Sequence, residues 1–534
     1  MIRILWVLLF AFAGWFAWYC GIRGFFPLDQ SIVFDGGYRV SIGELPFRDF
    51  QTAHSLALIL LQGAVFSLFG VSIGSYVAVA VTLNLIAVGA VGILLRNLFP
   101  QQRLPALSGA LLTAVWLIPA VGTPYADPAA FLSILVVLAA QSFFAHSVTL
   151  RTQGTLGVAA VAGLALAFGF LCKQSVLAIW LPWLLLAPFL VQGTDRKQQL
   201  RFTCWSLLIG TGAIAATVVF IAATGSLSKF WEGYFSLPIE IGTARLAQVL
   251  DPTLGITLLM IVLVAGLFLR RAVFIQALSH RQQVFALENP RLSLAAGLAL
   301  YILCISQLLR AAISNNPAIT DSSIGILLAL ITGILIELLP RQDHRKLLLS
   351  ALPVISIVFL FGIWFSGSRK VHESVMRASF GTELTEPGLA PLHWGQPTVI
   401  YDGTLKDPTY EVTGPELEQL TRYLREQPAR FFIFPDFTFL YGITGKPSAL
   451  PLLWFHKGLT YPRDYSSLLD RSLVDALVRA DVRIAIVERE SFLGTAARLK
   501  DFPVLSGWLE SGWNTCESPG FFKVQVREGT QCPD

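Results

Sequence analysis

From its second residue to about residue 367, the sequence is a succession of apolar runs long enough to cross a membrane. A span of the hydrocarbon core takes about 20 mostly apolar residues. Such runs stand near 2–22, 73–96, 105–122, 128–146, 154–172, 175–193, 203–224, 253–270, 293–311, 322–339 and 348–367, eleven in all. In lipid a backbone polar group finds a partner only inside a helix or a closed barrel. Runs of this length therefore predict a polytopic α-helical membrane part. One further run, Ser55–Phe69, is short for a span and reads as an interfacial or re-entrant helix.

Charge divides the chain in two. Residues 1–369 hold 22 Lys+Arg against 13 Asp+Glu, whereas residues 370–534 hold 17 against 21. A membrane domain at 1–369 and a domain of water-soluble composition at 370–534 are expected. Only 14% of all residues are charged, against roughly 25% for an ordinary soluble chain. That excludes a single soluble enzyme, a disordered protein and a nucleic-acid binder.

Orientation follows from Lys and Arg in the short loops. Arg96 and Arg103; Arg151; Arg196, Lys197 and Arg201; Arg270, Arg271, Arg281 and Arg291; and Arg341, Arg345 and Lys346 occupy alternate loops. Placing these inside puts the N-terminus in the cytoplasm and the C-terminal domain outside it. The alternation holds only if Ser55–Phe69 does not span. The first run reads as an uncleaved span rather than a signal peptide, because Trp15, Phe16, Trp18 and Tyr19 crowd the position where small residues are needed. Cys20, Cys172, Cys204 and Cys304 lie in or beside spans and read as apolar packing. Cys516 and Cys532, in an extracytoplasmic domain, can pair as a disulfide. No Cys/His spacing points to zinc, and no metal ligand is assigned.

Of the 13 acids in the membrane part, nine fall on the expected outer side: Asp29, Asp35, Glu44, Asp49, Asp127, Glu232, Glu240, Asp251 and Asp321. Four of them share the first outer loop (residues 23–72). A carboxylate at that face can act as general base towards an incoming hydroxyl, and cationic side chains nearby can hold a phosphate leaving group. Lys173 stands at the end of an apolar helix and is the only Lys in the first 195 residues. Arg310, near the outer end of the ninth span, offers the same chemistry.

Each candidate also has a plain structural reading. Asp29 and Asp127 suit helix starts. Arg48 and Asp49 suit a surface pair that orders the loop. Trp231, Tyr234 and Phe235 suit interface anchors or a groove for a sugar or polyprenyl chain. After Pro391 the pattern turns α/β. Strands are expected at Val399–Tyr401, Phe431–Phe434, Val482–Val487 and Phe521–Val526, with helices from Thr413 to about Gln427 and from about Ser466 to Ala480. This domain has no Gly-rich phosphate loop, nucleophile elbow or metal motif.

Asp29-Gln30, Gly37, Gly43 and Pro46-Phe47-Arg48-Asp49-Phe50 together resemble the first outer loop of GT-C superfamily glycosyltransferases, in particular the aminoarabinose and protein mannosyl transferase group. The likeness continues through His54, Leu68-Phe69-Gly70, Pro124-Tyr125-Ala126-Asp127-Pro128 and the Gly163–Gln174 segment. In the terminal domain it includes Ile433-Phe434-Pro435-Asp436 and Leu440–Lys446. Three features depart from the pattern: Gln30 in place of a second acid, Ile32 where relatives often carry Arg, and His54 in place of Lys.

The resemblance implies a GT-C-like fold of about eleven spans with an extracytoplasmic α/β domain. It also implies transfer of a sugar from a polyprenyl-phosphate donor to a glycan, glycolipid or protein acceptor at the outer face, with inversion. Asp29 and Asp127 are then the catalytic candidates. Arg48, Asp49, His54, Lys173 and Arg310 are the substrate and phosphate contacts. No cofactor is assigned, and a divalent ion is left open. A lipid-linked sugar transporter or flippase, or a non-catalytic scaffold of the same fold, is the alternative. No internal repeat of the kind transporters carry is visible.

Overall fold

The structure is a computed structural model that describes residues 2–146, 152–190, 193–240, 290–312, 318–338, 351–362, 369–370, 376–377, 382–394, 412–455, 460–461, 467–489, 499–516 and 520–533. The span expected at 253–270 and the strand expected at Val399–Tyr401 lie outside the described residues.

The N-terminal part is helical: α1 (Ile2–Gly21), α2 (Pro27–Ser41), α3 (Leu56–Phe69), α4 (Ile73–Leu98), α5 (Leu104–Trp116), α6 (Ala126–His146), α7 (Thr152–Cys172), α8 (Gln174–Leu186), α9 (Gly193–Ala223), α10 (Leu227–Trp231), α11 (Pro290–Ala312) and α12 (Ala318–Leu338). A further apolar helix, α13, covers Ala351–Gly362. Among the described residues four helices are long and apolar enough to cross a membrane: Arg3–Gly21, Ile73–Leu98, Ala126–Phe143 and Arg196–Ala223. Seven shorter apolar helices accompany them. The protein is a multi-pass helical membrane protein.

Two expected spans are shorter as helices. The 105–122 run is helical only to Trp116 and then turns through Leu117–Tyr125. The 175–193 run is α-helical to Leu186 and closes with a 3-10 turn at Ala187–Phe189. The short run after Ser55 is α3, of 14 residues. The Cys residues differ in setting, Cys20 and Cys172 being buried and Cys204 exposed.

The bundle packs largely in series, α4 on α6, α6 on α7 and α7 on α9. Small residues allow the closest crossing. A Cβ on Gly163 would stand 2.7 Å from the Ser206 carbonyl oxygen, and one on Gly210 would stand 3.0 Å from that of Gly163. Membrane helices use such residues where backbones meet. The first loop folds likewise. Helix α2 lies against α3, where Cβ atoms on Gly36 and Gly37 would meet Ile59 at 2.9 Å and Gln62 at 2.7 Å. The Asp35-Gly36-Gly37 triplet therefore sets how near α2 lies to the bundle.

The C-terminal part is a mixed α/β unit. Short antiparallel pairs form between β1 (Arg369–Lys370) and β2 (Met376–Arg377), and between β3 (Thr382–Glu383) and β4 (His393–Trp394). The main sheet holds β5 (Arg430–Phe434), β6 (Val482–Glu488), β7 (Asn514–Thr515) and β8 (Phe522–Val526) in the order β5-β6-β8-β7. Strands β5 and β6 are parallel and the other pairs antiparallel.

Helices α14 (Gly414–Glu426), α15 (Phe439–Thr444), α16 (Ser467–Arg479) and α17 (Pro503–Glu510) flank the sheet. Thr413 caps α14 by accepting the Glu416 N–H. Side chains alternate across the strands. Phe432, Phe434, Ala485 and Val487 pack with Leu473, Leu477, Leu505 and Leu509 of α16 and α17. On the other face, Phe431, Ile433, Ile484 and Ile486 belong to a hydrophobic cluster that runs without a break into α2, α4 and α6. Cys516 and Cys532 form a disulfide that ties the C-terminal tail to the sheet.

Candidate functional site

Backbone contacts fasten the terminal domain to the loop end of the bundle. Gly24 N donates to His393 O at 2.8 Å, His393 N to Ile22 O at 2.7 Å, Gln51 N to Pro451 O at 2.8 Å and Ile73 N to Gly388 O at 2.8 Å. The Leu440–Lys446 motif supplies α15 from its second residue and the Gly445 cap that ends it, and α15 lies on α2 with Phe439 against Phe25 at 4.6 Å between ring centroids. The Ile433–Asp436 motif ends β5, and its turn is held by Glu488, whose carboxylate accepts from the Asp436 and Phe437 N–H groups.

Asp29 lies in the first turn of α2. It is not the N-cap, a place taken by Phe26, and Pro27 opens the helix. The Tyr125 hydroxyl donates to Asp29 Oδ2 at 3.2 Å. Gln30 is fully buried. Its Oε1 accepts from Phe26 N at 2.8 Å, and its Nε2 donates to Val121 O at 3.0 Å. The neutral amide that replaces a second acid thus ties the first loop to the second, and this leaves Asp29 as the carboxylate of the pair.

Asp127 sits two residues after Tyr125, in the first turn of α6. Lys173 is the N-cap residue of α8, at the break between α7 and α8. Its Nζ lies 2.9 Å from Asp127 Oδ1, with the carboxylate fully buried and the lysine side chain 18% exposed. Asp29, Tyr125, Asp127 and Lys173 are therefore joined in one row by two contacts and a two-residue step.

His54 is the next residue in the same neighbourhood. Its Nδ1 is 2.8 Å from Ser55 Oγ, and Ser55 N donates to the carbonyl of Cys172, the residue before Lys173. The Trp454 ring of the terminal domain lies against the imidazole, 5.5 Å between centroids.

Arg48 and Asp49 lie apart from this row. They pair with each other at 2.7 Å on the surface, and Asp49 accepts the Leu45 N–H, which closes the Leu45–Phe50 turn. The Arg48 guanidinium bound to Asp49 holds that carboxyl below its usual range. Arg310 falls in α11, but its side chain lies outside the described residues, as does that of Asp321. The Trp231–Phe235 segment divides. Tyr234 is buried among Phe47, Phe170 and Phe230 and donates to Phe170 O, whereas Trp231 is exposed. Tyr234 is a core residue and not an anchor. Among the described residues no three His, Cys, Asp or Glu side chains gather as a metal-ligand group.

Sequence reasoning passed over Tyr125 and Arg39. Tyr125 stands inside the Pro124–Pro128 motif, which was its only signal. Arg39 is buried and binds Asp35 Oδ2 at 3.1 Å, Leu450 O at 2.7 Å and Leu452 O at 3.4 Å. The Asp35/Arg39 spacing of one helical turn was its signal.

No protein-family model and no curated protein matches the sequence. Among solved structures, ArnT from Cupriavidus metallidurans bound to undecaprenyl phosphate is 14% identical and aligns over 98% of this chain and 98% of that one, with a TM-score of 0.45. ArnT from Cupriavidus metallidurans in the apo state aligns with the same identity, coverage and TM-score.

Proposed function

We propose that the protein is a membrane glycosyltransferase that moves a sugar from a polyprenyl-phosphate donor to an acceptor hydroxyl at the outer face of the plasma membrane. The row Asp29–Tyr125, Asp127–Lys173 carries this reading. It sets a carboxylate and a held cation in one row beside the first loop, to which the terminal domain is fastened. The loop motifs resembling GT-C enzymes support the same chemistry.

In this reading Asp29 takes the proton from the acceptor hydroxyl. The hydroxyl oxygen forms a bond to the anomeric carbon as the bond from that carbon to the phosphate oxygen breaks, and the configuration inverts. The polyprenyl phosphate leaves with the electron pair. Its charge is met by Lys173 and His54, with Arg310 as a further cation of the same kind. Tyr125 orients Asp29 through its hydroxyl. Asp127 acts through Lys173: it balances the ammonium and fixes its position until the phosphate arrives.

Transfer by the purified protein tests the proposal. Radiolabelled polyprenyl-phosphate sugars are incubated with the protein and a cell-envelope fraction. Label is expected to move to a glycan, glycolipid or protein, with an inverted glycosidic bond. A protein that carries the labelled lipid across vesicle membranes without transferring sugar is a transporter, and the proposal fails.

A further inference from the structure

One stretch of the terminal domain is fastened to the first loop through both a side chain and the backbone. The segment Leu450–Phe455 crosses that loop and is fixed to it at two places. Arg39, itself 1% exposed, donates from Nη1 to Leu450 O at 2.7 Å and from Nη2 to Leu452 O at 3.4 Å. Gln51 N donates to Pro451 O at 2.8 Å. Within its own domain the segment is held by Thr438, whose hydroxyl donates to Leu453 O at 3.0 Å. Arg39 is in turn set by Asp35 and lies over the Phe50 ring. Burying a guanidinium is costly, and these acceptors offset that cost only when held in this arrangement.

The clamped segment delivers Trp454 against His54. The imidazole is thereby caught between Ser55 Oγ on its Nδ1 and an indole on the ring. Ser55 is itself in the left-handed region, at φ 67°, with its N–H bound to Cys172 O beside Lys173. A flexible histidine has lost its rotamer freedom before any ligand arrives. Such preorganisation strengthens a contact to charge without adding a contact.

We infer that Trp454 and Arg39 are positioning residues for phosphate recognition: Arg39 clamps the Leu450–Phe455 segment, and the segment's Trp454 holds His54 in place for the phosphate of the polyprenyl donor. The inference rests on the proposed role of His54. It makes the terminal domain part of the donor site rather than a cover over it.

A double-mutant cycle on binding separates the possibilities, because residues that act through one another do not add. The probe is polyprenyl phosphate without a sugar, titrated against the full-length protein in detergent. His54→Ala is expected to weaken binding on the order of tenfold, as loss of a charge-assisted contact does. Trp454→Ala should weaken it by a similar factor, the His54→Ala/Trp454→Ala pair by no more than either alone, and Trp454→Phe should restore most of the affinity. Arg39→Met should follow Trp454→Ala, and Arg39→Lys should not rescue, because an ammonium cannot span two carbonyls.

Thermal unfolding of each variant identifies those that fail to fold, and Trp454→Phe serves as the folded control. Losses that multiply in the double variant, or wild-type affinity in either His54→Ala or Trp454→Ala, overturn the inference. Absence of binding by the wild type overturns instead the proposed function on which it rests.

Discussion

Lys173 and Asp127 meet at 2.9 Å, with the carboxylate wholly buried and the ammonium at the break between two helices. Removing one member of a buried pair leaves the other charge uncompensated, at about 3–5 kcal/mol. Removing both costs far less. Asp127→Ala and Lys173→Met should therefore each lower the thermal midpoint of the protein in detergent, and the double variant should recover most of the loss. Transfer activity should not recover in the double variant, because the phosphate has lost its cation. Restored activity there would show that the pair serves only the fold.

Asp35 supplies a pH signature outside the spans. Burial pushes its carboxyl up to about 7, against the lowering pull of Arg39. The folded value lies above the unfolded one, so between about pH 4 and pH 7 the folded state keeps a proton that the unfolded state has released. The stability this contributes is full below about pH 4, declines as pH rises towards 7, and is level above. Thermal midpoints measured from pH 4.5 to 8 should fall over that window in the wild type. Asp35→Asn should flatten the part of the slope that Asp35 supplies. An unchanged slope in the variant would place the pH dependence elsewhere.

Gly442 on α15 faces α2. A Cβ there would stand 3.0 Å from Phe34 Cε1 and from Tyr38 Cβ. Gly442→Val overpacks this contact, a change that costs about 1–3 kcal/mol. The terminal domain should become more open to protease at its junction with the first loop. Gly507→Val, at a position where a Cβ meets nothing within 4 Å, serves as the control. Equal protease resistance in both variants would contradict the docking of α15 on α2.

Much of this layout is legible in the sequence, for physical reasons. Acids are scarce in the membrane part, so the place of Asp29 and Asp127 carried information before any contact was known. Lys173 stood out as the lone lysine of a long apolar stretch. Strand β5 announces itself by the apolar run Phe431–Phe434, and β6 by Ile484–Val487.

What escaped depends on contacts between distant segments. Nothing near Tyr125 in the sequence indicates that its hydroxyl serves Asp29, which lies 96 residues away. Arg39 finds its carbonyl partners 411 and 413 residues further on. The end of α5 at Trp116 was hidden because Leu117–Val121 is as apolar as the helix before it. A helix was expected from Asp29, but not that Gly36 and Gly37 within it permit the close approach to α3.

Asp29 is the centre of the account, and its carboxylate can be tested with one atom changed. Asp29→Asn keeps the side chain's shape and an acceptor for Tyr125 but removes the base. General-base assistance is worth on the order of 10²–10⁴-fold. The measurement is sugar transfer from a polyprenyl-phosphate donor alongside binding of polyprenyl phosphate, in the wild type and in Asp29→Asn. The account predicts that transfer falls by at least a hundredfold, at the lower end of that range, while binding is unchanged. Transfer at the wild-type rate in Asp29→Asn would contradict it.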